Sequence, residues 1–242
     1  MASIKKLFAF DFDDTIAKTS SSIGVQRKTS DGAIDASFPD WLLDNNIDYF
    51  EISNESSNPF YWMESGTFAE FETAKRHDLD YIEANSFEDV YDFSKTSSID
   101  VDTASPINKI IGLMQSAHSD PEAKVVVITA RAGSGKITSP AYGKQATTTN
   151  REDIKNFLSG HGVDIAGNHI STTGDADGSA AEKARALSSY IYRYNPEIVY
   201  FYDDNKLNID AILGLCDKFY PGININAFWI DKGGNVSDAG SC

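Results

Sequence analysis

Cysteine is scarce in this chain of 242 residues. The two present, Cys216 and Cys242, give no disulfide framework and no metal-ligand spacing. Long apolar runs are missing too: none approaches the roughly 18 to 20 residues that span a bilayer. The apolar stretch Leu7–Phe10 is too short for a secretory core and ends in acid. Positive charge is in deficit, with 21 Lys plus Arg against 36 Asp plus Glu and a net charge of −15. A surface of that sign repels polyanions, which disfavours a general nucleic-acid-binding role. No repeat and no long low-complexity tract occurs. What is there, 41% hydrophobic and 24% charged residues, is ordinary globular composition. A cytoplasmic protein with no membrane partner is the expectation.

The acid is unevenly spread. Between Asp40 and Asp102 lie 16 acidic residues against Lys75, Arg76 and Lys95, while the rest of the chain carries 20 acidic and 18 basic residues. This shift marks an insert in a nearly neutral framework. The expected division is a core of 1–19 and 103–242, with 20–102 as insert. In the framework, Lys6–Phe10, the β-branched run Lys124–Thr129, His169–Thr172, Ile198–Tyr202 and Ile223–Ile230 read as strands. Between them, helices are expected from Ser105-Pro106 onward, over Glu152–Leu158, from the capping box Ser179/Glu182 to Tyr194, and over Leu207–Leu215. Strands alternating with helices predict an α/β fold, a doubly wound parallel sheet with right-handed crossovers. In the insert, Ser20–Ser37 reads as a β-hairpin turning near Ser30-Asp31-Gly32. Phe68–Arg76 and Phe87–Phe93 read as short helices, and Phe60–Met63 as part of the insert's core.

In open parallel sheets, functional groups gather beyond the carboxyl ends of strands. The first strand delivers Asp11, Asp13, Asp14 and Thr15 there; the second delivers Thr129 and Arg131. The fourth delivers Asp203 and Asp204, then Asn205 and Asn208, and the third helix carries Lys183 in its first turn. Two carboxylate clusters on one sheet edge repel strongly without a cation. A Mg²⁺ with oxygen ligands is the natural neutraliser, with Lys183 as a second positive charge.

These residues, in this order, resemble the four motifs of the haloacid dehalogenase superfamily: Asp11/Asp13/Thr15, Thr129, Lys183 and Asp203/Asp204. The likeness spans residue 5 to about 230. The Val-Ile-Thr-Ala-Arg and Tyr-Asp-Asp-Asn-Lys stretches are most similar to small phosphatases of that superfamily, some of them encoded by bacteriophages, for which the compartment would be the host cytoplasm. The resemblance implies a Rossmann-like core with a flap and a cap in the place of the acidic insert. It implies a phosphatase acting through an aspartyl-phosphate: Asp11 as nucleophile, Asp13 as acid and then base, and Thr129 and Lys183 holding the transferring group. Mg²⁺ would bind Asp11, the Asp13 carbonyl oxygen and Asp204, with Asp203 acting through water. Thr15 and Arg131 would face the substrate. Proton donation by Asp13 near neutral pH calls for a raised pKa, which its acidic neighbours could supply. A nucleotide or a small phosphorylated metabolite is the expected substrate.

Other readings stand beside this one. A polynucleotide end phosphatase calls for a basic track that the sequence lacks. A phosphotransferase, or an idle fold used for binding, would share the same motifs. Taken singly, Thr129 could merely end a strand, Lys183 could be a solvated helix residue, and Arg131 could pair with an acid. Gly133-Ser-Gly-Lys136 resembles a phosphate-binding loop but lacks its first glycine and its Ser/Thr. Ala132–Asn150 reads as a long polar loop with Lys136 or Lys144 near substrate. Asp175-Ala-Asp177-Gly178 has only part of a calcium loop, and the four histidines show no metal spacing. Asn54-Glu-Ser and Asn235-Val-Ser match a glycosylation pattern without other signs of secretion. Cys242 is assigned no function.

Overall fold

The structure is a computed structural model that describes residues 3–51, 59–133, 135–175, 179–216, 220 and 222–242. The chain divides into two compact units. One comprises 1–19, 98–134 and 148–242, and the other 20–97 and 135–147. Relative to the expected boundaries, 98–102 joins the first unit and 135–147 joins the second.

The first unit is built on a six-stranded sheet. Its strands are β1 (Lys6–Phe10), β2 (Ala123–Thr129), β3 (Ile170–Thr172), β4 (Ile198–Asp203), β5 (Asn224–Ile230) and β6 (Val236–Ser241), in the order β3-β2-β1-β4-β5-β6. All neighbours run parallel except β5 and β6. Helices α1 (Asn108–Ser119), α2 (Asn150–Gly160), α3 (Ala180–Tyr194) and α4 (Lys206–Leu213) alternate with the strands. This is a mixed α/β, Rossmann-like sheet. Strand alternation places Phe10, Val125, Val127 and Tyr202 in one apolar cluster, with Ile110, Met114, Ile154 and Phe157 from α1 and α2. Leu7, Ala9, Val126, Val199 and Phe201 join the other cluster, with Leu187, Ile191, Ile209 and Ile212 from α3 and α4. Helices on both faces explain why the central strands carry apolar residues without a polar side.

Local chemistry sets the boundaries. Ser179 caps α3 by accepting from the Glu182 N–H, and Asn205 caps α4 by accepting from the Leu207 N–H. Helix α1 starts at Asn108, not at Ser105-Pro106. Those two residues pair with Ala17–Lys18, and the Ile107 N–H donates to the Ile16 carbonyl, so tertiary pairing overrides the proline start signal. The cysteines also depart from expectation. Cys216 and Cys242 form a disulfide with Cα atoms 6.0 Å apart, because Cys242 continues the β6 pairing by exchanging backbone hydrogen bonds with Ile225.

The second unit holds a four-stranded antiparallel sheet with the strand Ser22–Lys28 inside it, flanked by Tyr61–Glu64 and Glu88–Asp92. The expected turn exists: Thr29 and Ala33 hydrogen-bond across it, with Gly32 at φ +82°. The returning segment contributes only the bridge Lys28–Ile34. Glu88–Asp92 is a strand, not a helix, because it pairs along Ser22–Lys28 and brings Asp89 against the fully buried Arg27. Arg27 Nε lies 2.8 Å from Asp89 Oδ1, and its guanidinium stands 4.4 Å from the Phe38 ring centroid and 4.5 Å from that of Trp41. Phe60, Tyr61, Trp62 and Met63 are buried in this unit. Within 132–150 a short hairpin, Lys136–Thr138 with Gln145–Thr147, replaces the expected loop. Buried Asp92 ties it down by accepting from the Ser139 hydroxyl and, at 3.0 Å, from the Ala141 N–H. A strand after Gly135 is not the helix a phosphate-binding loop requires. The Asn54 glycosylation pattern and most of the calcium-loop resemblance at 175–178 fall outside the described residues.

Candidate functional site

The carboxyl ends of β1, β2 and β4, together with the start of α3, converge within the first unit. Parallel register brings Asp11 beside the end of β4, where its N–H donates to the Tyr202 carbonyl at 2.9 Å. The chain then turns tightly: the Ile16 and Ala17 N–H groups both donate to the Phe12 carbonyl, and Asp14 takes φ +54°. Aspartate tolerates this left-handed region better than most side chains. The turn aims Asp13 and Thr15 back toward the sheet edge.

Lys183 is buried at 2% exposure, with Nζ 2.8 Å from Asp11 Oδ1 and 2.9 Å from Asp203 Oδ2. Asp203 Oδ1 accepts from the Asn205 N–H and from Asn208 Nδ2, each at 2.9 Å, so both its oxygens are engaged. Asp204 is less enclosed. The Thr15 hydroxyl reaches its Oδ1 at 3.4 Å, and its main-chain carbonyl accepts from Trp229 Nε1 at 2.8 Å. One oxygen each from Asp11, Asp203 and Asp204 lies within 4.8 Å of the others. At that separation, two ionised carboxylates repel by roughly 3–4 kcal/mol at an effective dielectric of about 20. Burial, with Asp203 and Asp13 adding to it against the pull of Lys183, pushes the Asp11 carboxyl up to about 7. Burial, then Asp203 and Asp11, holds Asp204 well above the usual carboxylate range. Burial disfavours charge on Lys183, but Asp11 and Asp203 outweigh it and keep the ammonium protonated. Three hard oxygen donors in one cluster, two of them on buried residues, suit a divalent cation.

Asp13 behaves differently. Burial would raise its pKa, but the Arg131 guanidinium outweighs this and holds the carboxyl below its ordinary range. Arg131 Nε lies 2.8 Å from Asp13 Oδ2 and one terminal nitrogen 2.7 Å from Oδ1, a bidentate pair. The Thr19 hydroxyl adds a bond of 2.6 Å to Asp13 Oδ1. The expected raised pKa is therefore not found, since an arginine and not the acidic neighbours governs this carboxylate. Arg131 is itself buried, and its other terminal nitrogen reaches the Ser98 carbonyl and Asn150 Oδ1, each at 3.2 Å. It stands as a partner of Asp13, with its donors engaged inside the unit. Thr15, fully buried, supports Asp204, and Thr129, at 1% exposure, accepts from the Arg131 N–H at 3.3 Å.

All the motif residues, Asp11, Asp13, Thr15, Thr129, Arg131, Lys183, Asp203 and Asp204, thus meet at one edge of one unit. The cation-ligand group contains Asp11, Asp203 and Asp204, while the Asp13 carboxylate stands with Arg131. Four supporting residues carry no motif signal in the sequence. Thr19 holds Asp13, Asn150 holds Arg131, Thr173 donates to the Thr129 carbonyl at 3.0 Å, and Trp229 holds Asp204.

No protein-family profile and no curated protein matches the chain. Among solved structures, a formyltetrahydrofolate deformylase from Burkholderia mallei ATCC 23344 is similar at 9% identity and a TM-score of 0.24. The match covers 86% of this chain, which spans only 66% of that protein's length. A likeness this low carries no argument about fold or activity.

Proposed function

We propose that this chain is a Mg²⁺-dependent phosphomonoester hydrolase working through an aspartyl-phosphate on Asp11, with a nucleotide or small phosphorylated metabolite as substrate. The observation that carries the reading is the Lys183 ammonium, 2.8 Å from Asp11, beside the oxygen cluster of Asp11, Asp203 and Asp204. In the first step an Asp11 oxygen attacks phosphorus and the ester oxygen leaves, dividing one displacement into two. Lys183 stabilises charge on the nucleophile and on the transferring group. Thr129 holds a phosphoryl oxygen. In the second step water attacks phosphorus, releases phosphate and regenerates the Asp11 carboxylate. Asp13, kept ionised by Arg131, accepts the water's proton. To protonate the leaving oxygen in the first step, Asp13 must first take up a proton, so release of Arg131 accompanies that step. Asp11, Asp203 and Asp204, with the Asp13 carbonyl oxygen, would hold Mg²⁺, Asp204 directly because its carboxylate is the least engaged. When bound, the ion supplies neutralisation and orientation of phosphoryl oxygens. The resemblance would give the roles of flap and cap, and with them substrate selection, to the second unit.

The test is phosphate release from a panel of phosphomonoesters with and without Mg²⁺, beside Asp11→Asn. Release that needs Mg²⁺ and disappears in the variant supports the reading. No release from any ester rejects it.

A further inference from the structure

We infer that the groove beyond β3 is an anion subsite that receives a second phosphoryl group of the substrate, an assignment that rests on the hydrolase reading above. Strand β3 is the edge of the six-stranded sheet, and a cavity of about 660 Å³ lies along it. That is the size of a small-molecule site, and like such sites it sets a few polar and charged groups among apolar walls. Arg151 enters from the first turn of α2, Arg185 and Ser189 from α3, and Asn168 from the turn before β3. Among the described residues the one carboxylate in the wall is Glu182, 2.9 Å from Arg185. Among the described lining residues, two guanidinium groups against one carboxylate leave a local positive charge, in a chain whose net charge is −15. Arg151 donates to Thr172 Oγ1 at 3.0 Å, which fixes its fork at the groove wall. Guanidinium forks match phosphate geometry, and these two are exposed, so no buried charge must be uncovered before an anion binds.

The groove borders the strand end that carries Thr129, because Thr172 and Thr173 stand in its wall. Thr172 pairs in register with Thr129, and the next residue, Thr173, donates to the Thr129 carbonyl. Helix α3 serves both places. It buries Lys183 against Asp11, while Glu182, Arg185 and Ser189 share a stripe on the groove side. A ligand with one phosphoryl group at Asp11 and another along β3 would engage both, whereas a monophosphate would leave the arginines unused. The substrate class is therefore a bisphosphorylated one.

Binding to the Asp11→Asn protein in Mg²⁺ tests this without turnover, using a nucleoside 5′-monophosphate and the matching 3′,5′-bisphosphate. The bisphosphate is expected to bind about tenfold more tightly. The advantage should vanish in the same protein carrying Arg151→Ala and Arg185→Ala, and return in part with lysine at both positions. Equal affinity of the two nucleotides, or an advantage that survives loss of both arginines, overturns the subsite. An arginine-dependent advantage beside a wild-type protein that releases no phosphate retains the subsite and rejects the hydrolase reading. A 5′-phosphorylated dinucleotide separates the two sources of the second group. A larger arginine-dependent gain than the bisphosphate shows identifies a phosphodiester, and a smaller one a terminal phosphate.

Discussion

Lys183 Nζ stands 2.8 Å from Asp11 Oδ1, joining the first turn of a helix to the end of the first strand with both side chains buried. The same ammonium reaches Asp203, so one cation bridges the ends of two neighbouring strands.

Replacing Lys183 by methionine keeps the volume but leaves buried carboxylates without their counter-charge. Removing one partner of a buried pair costs about 3–5 kcal/mol. Denaturant unfolding of Lys183→Met should show a loss of that size, and phosphate release should fall by at least about a hundredfold. A loss under 1 kcal/mol would mean that the pair contributes little to the fold.

Cation binding should stabilise the protein in a pH-dependent way. An unfolded aspartate titrates near 3.9. Folded Asp11 titrates at about 7, and Asp204 is raised as well. The folded state therefore holds protons that the unfolded state has lost, so without metal stability falls as pH rises from about 4 to about 7. A divalent cation needs the ionised oxygens. Mg²⁺ should raise the melting temperature more at pH 8 than at pH 5, and an equal shift at both would contradict the assignment.

Much of this was legible in the sequence. The β-branched run ending at Thr129 and the apolar strands ending in Asp11 and Asp203 announced a buried parallel sheet with acid at its edge. Ser179 with Glu182 fixed the start of α3 and hence the depth of Lys183. What sequence could not show were contacts made across the fold. Arg131 reads equally as a substrate contact or as the partner of an acid, and only Thr19 and Asn150, distant in sequence, decide for the pair with Asp13. The strand Glu88–Asp92 carries no alternating pattern, because its burial comes from Arg27 and aromatic neighbours. Cys242 lacks a partner until β6 folds back beside β5.

In the proposed hydrolase, the Arg131–Asp13 pair should set an acid limb of the pH profile. Arg131 lowers the Asp13 pKa against the opposing effect of burial. In Arg131→Ala the carboxyl is released upward, so the limb that reports ionised Asp13 as base in the second step should move to higher pH in kcat, under conditions where hydrolysis of the aspartyl-phosphate limits turnover. An unmoved limb would show that Asp13 is not the base.

The disulfide closes a separation of 26 residues. Chain-entropy arguments put the stabilisation from a loop of this length at about 3.5 kcal/mol. Cys216→Ser should lower the melting temperature. A dithiol reductant should lower that of the wild type toward the same value and leave the variant unchanged. A wild-type melt insensitive to reductant would contradict the link.

The central claim is that Asp11 carries the phosphoryl group during turnover. Borohydride added during steady-state hydrolysis reduces an acyl phosphate to an alcohol, which peptide mass spectrometry reads as homoserine in place of aspartate. Homoserine at position 11, formed only with substrate and Mg²⁺ together, is the predicted result. Continuing turnover with unmodified Asp11, or homoserine at another aspartate, would contradict it.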